Sequence, residues 1–183
     1  MKLRIISGIF GGRLINVPKS DLIRPTTDRV RETLFNILNN KISFDGAKIL
    51  DLYAGSGSLG FECLSRGASE VHFVEQNFTI IKNLEKNIQL LNADELCKIY
   101  KMPAIKFALQ NTNQKYDLIL ADPPFYKEDI YKVVECILSN KYLKTASFMI
   151  IERSIQTKEN DFENFGVSPF KTIGDTCLYQ IAN

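Results

Sequence analysis

Apolar positions along this 183-residue chain switch repeatedly between a strand period and a helix period. Leu3 to Ser7 and Arg13 to Val17 read as two short strands around Gly8-Ile9-Phe10-Gly11-Gly12, a glycine-rich loop that makes them a hairpin. Pro25 disfavours helix at Arg24, and Thr26 or Thr27 can then cap a helix running to about Asn39. Val30, Leu34, Ile37 and Leu38 recur at helical spacing and predict its buried stripe, which leaves Arg24, Arg29 and Arg31 for the outer or ligand side. From Lys48 the reading alternates. Strands are expected at Lys48–Leu52, Glu70–Val74 (ending at Glu75), Cys97–Lys101, Asp117–Ala121 and Ser147–Glu152. Helices are expected at Ser58–Ser65, at Thr79–Leu91 with Ile80, Leu84, Ile88 and Leu91 on one face, and at Ile130–Ser139. Uninterrupted runs such as Leu118-Ile119-Leu120 belong to strands buried on both faces. Ser168–Ile173 and Thr176–Ile181 flank Gly174-Asp175, a hairpin turn that breaks the alternation. The pattern predicts an α/β fold: a Rossmann-like, doubly wound, mostly parallel sheet with an antiparallel C-terminal strand and an N-terminal hairpin-plus-helix extension.

Composition narrows the picture. Apolar residues make up 45% and charged residues 24%, ordinary for a globular chain, and the length suits a single domain spanning 1–183. Within it, 1–40 is the extension and 41–183 the core. No apolar run reaches the roughly 18 residues of a membrane span, and the N-terminus lacks a signal-peptide apolar region. A cytoplasmic location with no membrane partner is therefore expected. Cys63, Cys97, Cys136 and Cys177 are widely spaced, which fits buried reduced thiols better than a zinc site or a disulfide framework. His72 sits inside a strand-like run and reads as a packed histidine, so no metal site is expected. The net charge is +2, yet residues 1–40 hold seven Lys or Arg against three acids. A basic extension on a mildly acidic body suggests a dock for a polyanion such as nucleic acid.

Candidate chemistry gathers at three strand ends. Asp51 precedes Gly55-Ser56-Gly57-Ser58-Leu59-Gly60, a strand–turn–helix whose backbone N–H groups can approach a ligand closely. With Glu75 twenty residues past Gly55, the stretch also fits a dinucleotide fingerprint, and so an NAD-dependent oxidoreductase. The Asp51 carboxylate disfavours an anionic pyrophosphate and suits a cationic ligand such as S-adenosylmethionine. Glu75 can accept two hydrogen bonds from a ribose diol. In Asp122-Pro123-Pro124-Phe125 the prolines lack N–H groups, leaving the Pro123 carbonyl free beside the Asp122 carboxylate. Two adjacent acceptors suit a planar amino group whose lone pair is conjugated into a ring, and Phe125 offers a stacking face for a base.

These stretches resemble the class I S-adenosylmethionine-dependent methyltransferases, with Asp51–Gly57 like the cofactor loop and Asp122–Phe125 like the (D/N)-P-P-(F/Y) motif of enzymes that methylate conjugated amines. More narrowly, the chain is similar to the RsmD family of bacterial 16S rRNA guanine-N2 methyltransferases. Arg4-Ile5-Ile6-Ser7-Gly8, Gly11-Gly12-Arg13, Arg24-Pro25-Thr26-Thr27-Asp28-Arg29-Val30-Arg31-Glu32, and Leu59-Gly60-Phe61-Glu62 with Ser65-Arg66-Gly67-Ala68 carry the likeness. The resemblance implies methylation of guanine 966 at N2, on an assembled or assembling small ribosomal subunit, by a monomer. It implies cofactor binding by Asp51, Ala54, Gly55, Gly57, Glu75, Ala104 and Asp122. Asp122, Pro123 and Phe125 would be catalytic, and Arg4, Arg13 and Arg24 would touch RNA. Met102-Pro103-Ala104 departs from the family pattern, so adenine recognition is expected from the Ala104 backbone and apolar packing. A methyltransferase acting on a DNA amino group is the alternative within the same chemistry, though 183 residues leave little room for a sequence-reading region.

Overall fold

The computed structural model describes residues 1–18, 28–110, 112–124 and 128–182. An antiparallel hairpin of β1 (Lys2–Arg4) and β2 (Leu14–Asn16) comes first, followed by α1 (Asp28–Leu38). Strands and helices then alternate through β3 (Lys48–Leu52), α2 (Ser58–Ser65), β4 (Glu70–Glu75), α3 (Phe78–Leu91), β5 (Cys97–Lys101) and α4 (Ala104–Ala108). β6 (Tyr116–Ala121), α5 (Asp129–Ser139), β7 (Leu143–Ser154) and α6 (Lys158–Phe165) continue the pattern. The antiparallel pair β8 (Lys171–Ile173) and β9 (Thr176–Ala182) ends it. The seven-stranded sheet has the order β5-β4-β3-β6-β7-β9-β8, parallel from β5 to β7, with β9 antiparallel to β7. Strand progression therefore reverses between β3 and β6. In such sheets ligands bind beyond the carboxyl ends of the strands at that reversal.

Continuous apolar strands bury both faces. Ile49, Leu118 and Leu120 join the cluster beneath α1, α2 and α3, whereas Leu50, Leu52, Ile119 and Ala121 join the one beneath α4 and α5. Each fully buried large aliphatic side chain contributes about 1.5–3 kcal/mol to holding the sheet between its helices. The hairpin belongs to the first cluster through Leu3, Ile5, Ile15 and Val17. His72 is a packed sheet residue, as expected, with Nδ1 2.8 Å from the Tyr116 hydroxyl and Nε2 at 2.5 Å from Glu70 Oε1.

Several expectations need correction. In α1 the buried stripe contains Phe35 and Arg31, while Ile37 is half-buried. Arg31 does not face outward: its side chain is 1% exposed, with Nη2 donating to the Arg4 carbonyl (2.9 Å) and to Asp28 Oδ1 (2.7 Å). A guanidinium can occupy an interior helix position when such oxygens meet it. Cys97 is half-buried, unlike the other three free cysteines. β7 begins four residues before Ser147, through a bulge in which Ala146 takes a φ of 61°. α4 and α6 have no counterpart in the periodicity of the sequence.

Candidate active site

Strand register brings the candidate residues together. Leu52 pairs with Val74 on one side and Ala121 on the other, so Tyr53, Glu75 and Asp122 are the next residues along three adjacent strands. Asp51 points into the α2 face and is 2% exposed. Its Oδ2 accepts the Gly60 N–H (2.9 Å), placing a negative charge at the first turn of α2, where the helix dipole favours it. Burial pushes the Asp51 carboxyl well above the ordinary range; the Gly60 hydrogen bond opposes this, and the charges of Asp122 and Glu75 add to it. Asp51 Oδ2 is thus engaged by the helix below the glycine turn. Its field still adds to those of the other two carboxylates. Three acids converging where strand order reverses fit a cationic ligand, because a positive charge there relieves their mutual repulsion.

The glycine turn has two kinds of glycine. Gly57 has a φ of 80°, and a Cβ there would lie 2.5 Å from both Leu84 Cδ1 and Phe61 Cε2. Gly60 is needed for packing, since its Cβ would fall 2.3 Å from the Phe73 ring. Ala54, 8% exposed, donates its N–H to the Val74 carbonyl (3.0 Å) and so holds the turn to β4. Glu75 Oε2 accepts the Gly55 N–H (3.1 Å), and Oε1 accepts those of Gln76 and Asn77 (2.8 Å each). A carboxylate offers about four acceptor positions, so one is left on Oε2. Glu75 both fixes the turn and keeps a place for a hydroxyl donor.

Asp122 follows β6 and is half-buried, Pro123 is buried and Pro124 half-buried. Ala104 opens α4 just beyond β5 and is buried. Phe125 and Arg24 lie outside the described residues. α5 is held by anchors that sequence patterns did not reveal. Tyr53 Oη donates to Asp129 Oδ1 (3.1 Å), and Tyr131 Oη donates to Asp161 Oδ1 (2.9 Å). Asp161 also receives Arg153 Nε (3.0 Å) and Thr157 Oγ1 (2.8 Å), and both members of the Arg153–Asp161 pair are 1% exposed or less. Tyr53 holds a φ of 58°, rare for an aromatic residue and costing about 1–3 kcal/mol, and burial raises its hydroxyl pKa. Such strain beside a glycine turn is itself a signal of function.

The basic extension is fastened to this centre by buried polar groups. Glu62 on α2 accepts the Ile6 N–H at Oε2 (2.7 Å) and the Ser7 N–H at Oε1 (3.1 Å), while Arg66 Nη2 pairs with it at 2.7 Å. Asn87 on α3 takes the Asn16 N–H (2.8 Å) and donates to the carbonyls of Asn16 (2.9 Å) and Ser56 (3.1 Å). One side chain thereby bridges the hairpin and the glycine turn. Arg4 points to solvent; Arg13 is exposed, with Nη2 on the Leu90 carbonyl and its guanidinium 5.4 Å from the Phe10 ring centre. Among the described residues no His/Cys/Asp/Glu cluster could hold a metal, and no helix is long and apolar enough to cross a membrane. A cavity at the opposite, amino edge of the sheet, lined by Lys41, Asp117, Lys144 and Phe148, is remote from these residues.

A seven-stranded sheet of this order, with a glycine turn after one central strand and an acid-Pro-Pro corner after its neighbour, defines a class I methyltransferase fold. The family described as conserved hypothetical protein 95 matches residues 3–182. Ribosomal RNA small subunit methyltransferase D of Haemophilus influenzae is 37% identical over 175 residues, 94% of this chain and 90% of that protein. Its namesake from Escherichia coli is 35% identical over 155 residues, 85% and 76% of the two chains. The solved structure of yhhF from Escherichia coli superposes with a TM-score of 0.82 at 30% identity, covering 98% of each chain. The chain belongs to this family, the RsmD family of methyltransferases.

Proposed function

We propose that the chain transfers a methyl group from S-adenosylmethionine to the N2 amine of guanine 966 in 16S rRNA, within an assembled or assembling small ribosomal subunit. It would do so as a monomer of one domain, in the cytoplasm. The observation that carries the reading is the placement of Asp122 and Pro123 beside the Asp51–Glu75 carboxylates where strand order reverses. The names of the relatives from Haemophilus influenzae and Escherichia coli support an rRNA substrate.

The residues divide the work by chemistry. Asp51, Ala54, Gly55 and Gly57 would form the cofactor loop, Glu75 would take a ribose hydroxyl at its remaining acceptor position, and Ala104 would line the adenine side. When bound, S-adenosylmethionine supplies an electrophilic methyl group on a sulfonium. Asp122 and the Pro123 carbonyl accept the two N2 hydrogens and thereby orient the amine. Holding both hydrogens with oxygens encourages the nitrogen to pyramidalise and offsets the positive charge that develops on it. Phe125 stacks on the extruded base, and Arg4, Arg13 and Arg24 dock phosphates. Transfer would be direct: the N2–methyl bond forms as the methyl–sulfur bond breaks to leave a neutral thioether, one N2 proton is then released to solvent, and no cysteine acts as a nucleophile.

The test is transfer of labelled methyl from S-adenosylmethionine to small subunits lacking the mark, with duplex DNA as a second acceptor and NAD as a competing ligand in calorimetry. Incorporation into the subunits alone supports the reading. Folded protein that binds NAD, or methylates only DNA, ends it.

A further inference from the structure

α3 turns an unusual stripe to solvent. Phe78, Lys82, Lys86 and Leu90 repeat every four residues and are all exposed, Phe78 at 66%. An i, i+4 step rises about 6 Å, comparable to the separation of successive phosphates on a nucleic-acid strand. Lys82 Nζ lies 4.5 Å from the Phe78 ring centre, so the aromatic face and the charge act as one element. Neither Lys82 nor Lys86 is in an ion pair among the described residues; Glu85 on the same helix is engaged by Lys101 (2.7 Å). The stripe adjoins the basic hairpin at its Leu90 end and along its middle. Arg13 reaches the Leu90 carbonyl, and Asn83 and Asn87 hold Asn16. Its upper end, Phe78, sits three residues after Glu75, at the rim of the candidate active site.

We infer that this stripe is a second RNA-docking track, leading an rRNA strand from the hairpin across α3 to the catalytic rim, with Lys82 and Lys86 on phosphates and Phe78 stacked on a base. The inference rests on the proposed rRNA activity and adds residues outside both the catalytic corner and the N-terminal extension. Charge complementarity selects the partner: ammonium groups at phosphate-like spacing beside an exposed ring match single-stranded nucleic acid. An apolar protein surface would leave both lysines without counter-charges.

The experiment titrates wild type, Lys82→Gln/Lys86→Gln, Phe78→Ala and a Lys132→Gln control against small subunits and against protein-free 16S rRNA, over a series of salt concentrations. S-adenosylmethionine affinity and methyl transfer are measured in parallel. The double variant should flatten the slope of log affinity against log salt by about 0.7–0.9 for each phosphate that is no longer neutralised. Phe78→Ala should weaken RNA binding about fivefold or more. Lys132, on α5 at the other face of the sheet, should change neither, and cofactor affinity should be unaltered throughout. Unchanged RNA affinity and salt slope in the α3 variants, with methyl transfer intact, overturn the track and leave the activity standing. Weaker binding to subunits with undiminished binding to naked rRNA assigns the stripe to a ribosomal protein and also overturns it. Wild-type protein that methylates no subunit overturns the proposed activity, and the rRNA titration alone then decides the track.

Discussion

Replacing Glu62 with Gln tests how the N-terminal hairpin is held. Glu62 is fully buried, and its two oxygens satisfy the N–H groups of Ile6 and Ser7 as well as the Arg66 guanidinium. Gln keeps one acceptor oxygen and must aim its NH2 at donors on one side or the other. Breaking a buried pair from one side costs about 3–5 kcal/mol, and each hydrogen bond to a charged group contributes about 1.5–3. The lower part of that range applies here, because Arg66 retains Asn39 Oδ1 (3.0 Å) and the Phe35 ring (4.9 Å). We expect a destabilisation of about 2–4 kcal/mol, which for a chain of this length lowers Tm by about 5–15 °C. Urea unfolding at constant slope gives the free energy, scanning calorimetry gives Tm, and Glu163→Gln on the exposed face of α6 serves as the control. A shift below about 1 °C would refute the claim that the extension is fastened through this carboxylate.

Other consequences can be checked alongside. Because burial raises the folded-state pKa of Asp51, its favourable contribution is present below the ordinary carboxyl pKa, about 3.9, and is lost as pH rises through the raised value. Asp51→Asn should therefore be more stable than wild type near neutral pH, with the gain vanishing as pH falls toward 4, while S-adenosylmethionine binds more weakly; urea titrations across pH that show a constant difference would contradict this. Arg153→Met leaves the Asp161 carboxylate buried beside Tyr131 and Thr157, and should cost about 3–5 kcal/mol. Adding Asp161→Leu should recover much of that stability, and a double-mutant cycle with no coupling would remove the pair from the account.

Much of the core is legible in local pattern: β3, α2 and β5 have the bounds that Lys48–Leu52, Ser58–Ser65 and Cys97–Lys101 imply. The illegible parts are those where polar groups take interior places. Arg31 lies in the α1 stripe because the Arg4 carbonyl and Asp28 meet it, and no periodicity argument reveals such partners. α6 offers Lys158–Phe165 with Asp161 as its buried residue and Phe162 exposed, so it presents no apolar stripe to read. Spacing singles out Asp51, Glu75 and Asp122, which the structure brings to adjacent strand ends, but not the division of Glu75 between backbone amides and an open acceptor position. Asn87 carries no such signal. Its importance depends on where a hairpin seventy residues away returns.

In the proposed mechanism, Asp122 and the Pro123 carbonyl hold a guanine amine against a methyl donor bound among three carboxylates. Mass mapping of 16S rRNA nucleotides from unmarked small subunits, after incubation with S-adenosylmethionine and either wild type or Asp122→Ala, tests it most directly. One added methyl at N2 of a single guanine is expected with wild type, and none with Asp122→Ala although calorimetry still records cofactor binding. Equal methylation by both proteins, or a methyl on another base or on ribose, would contradict it.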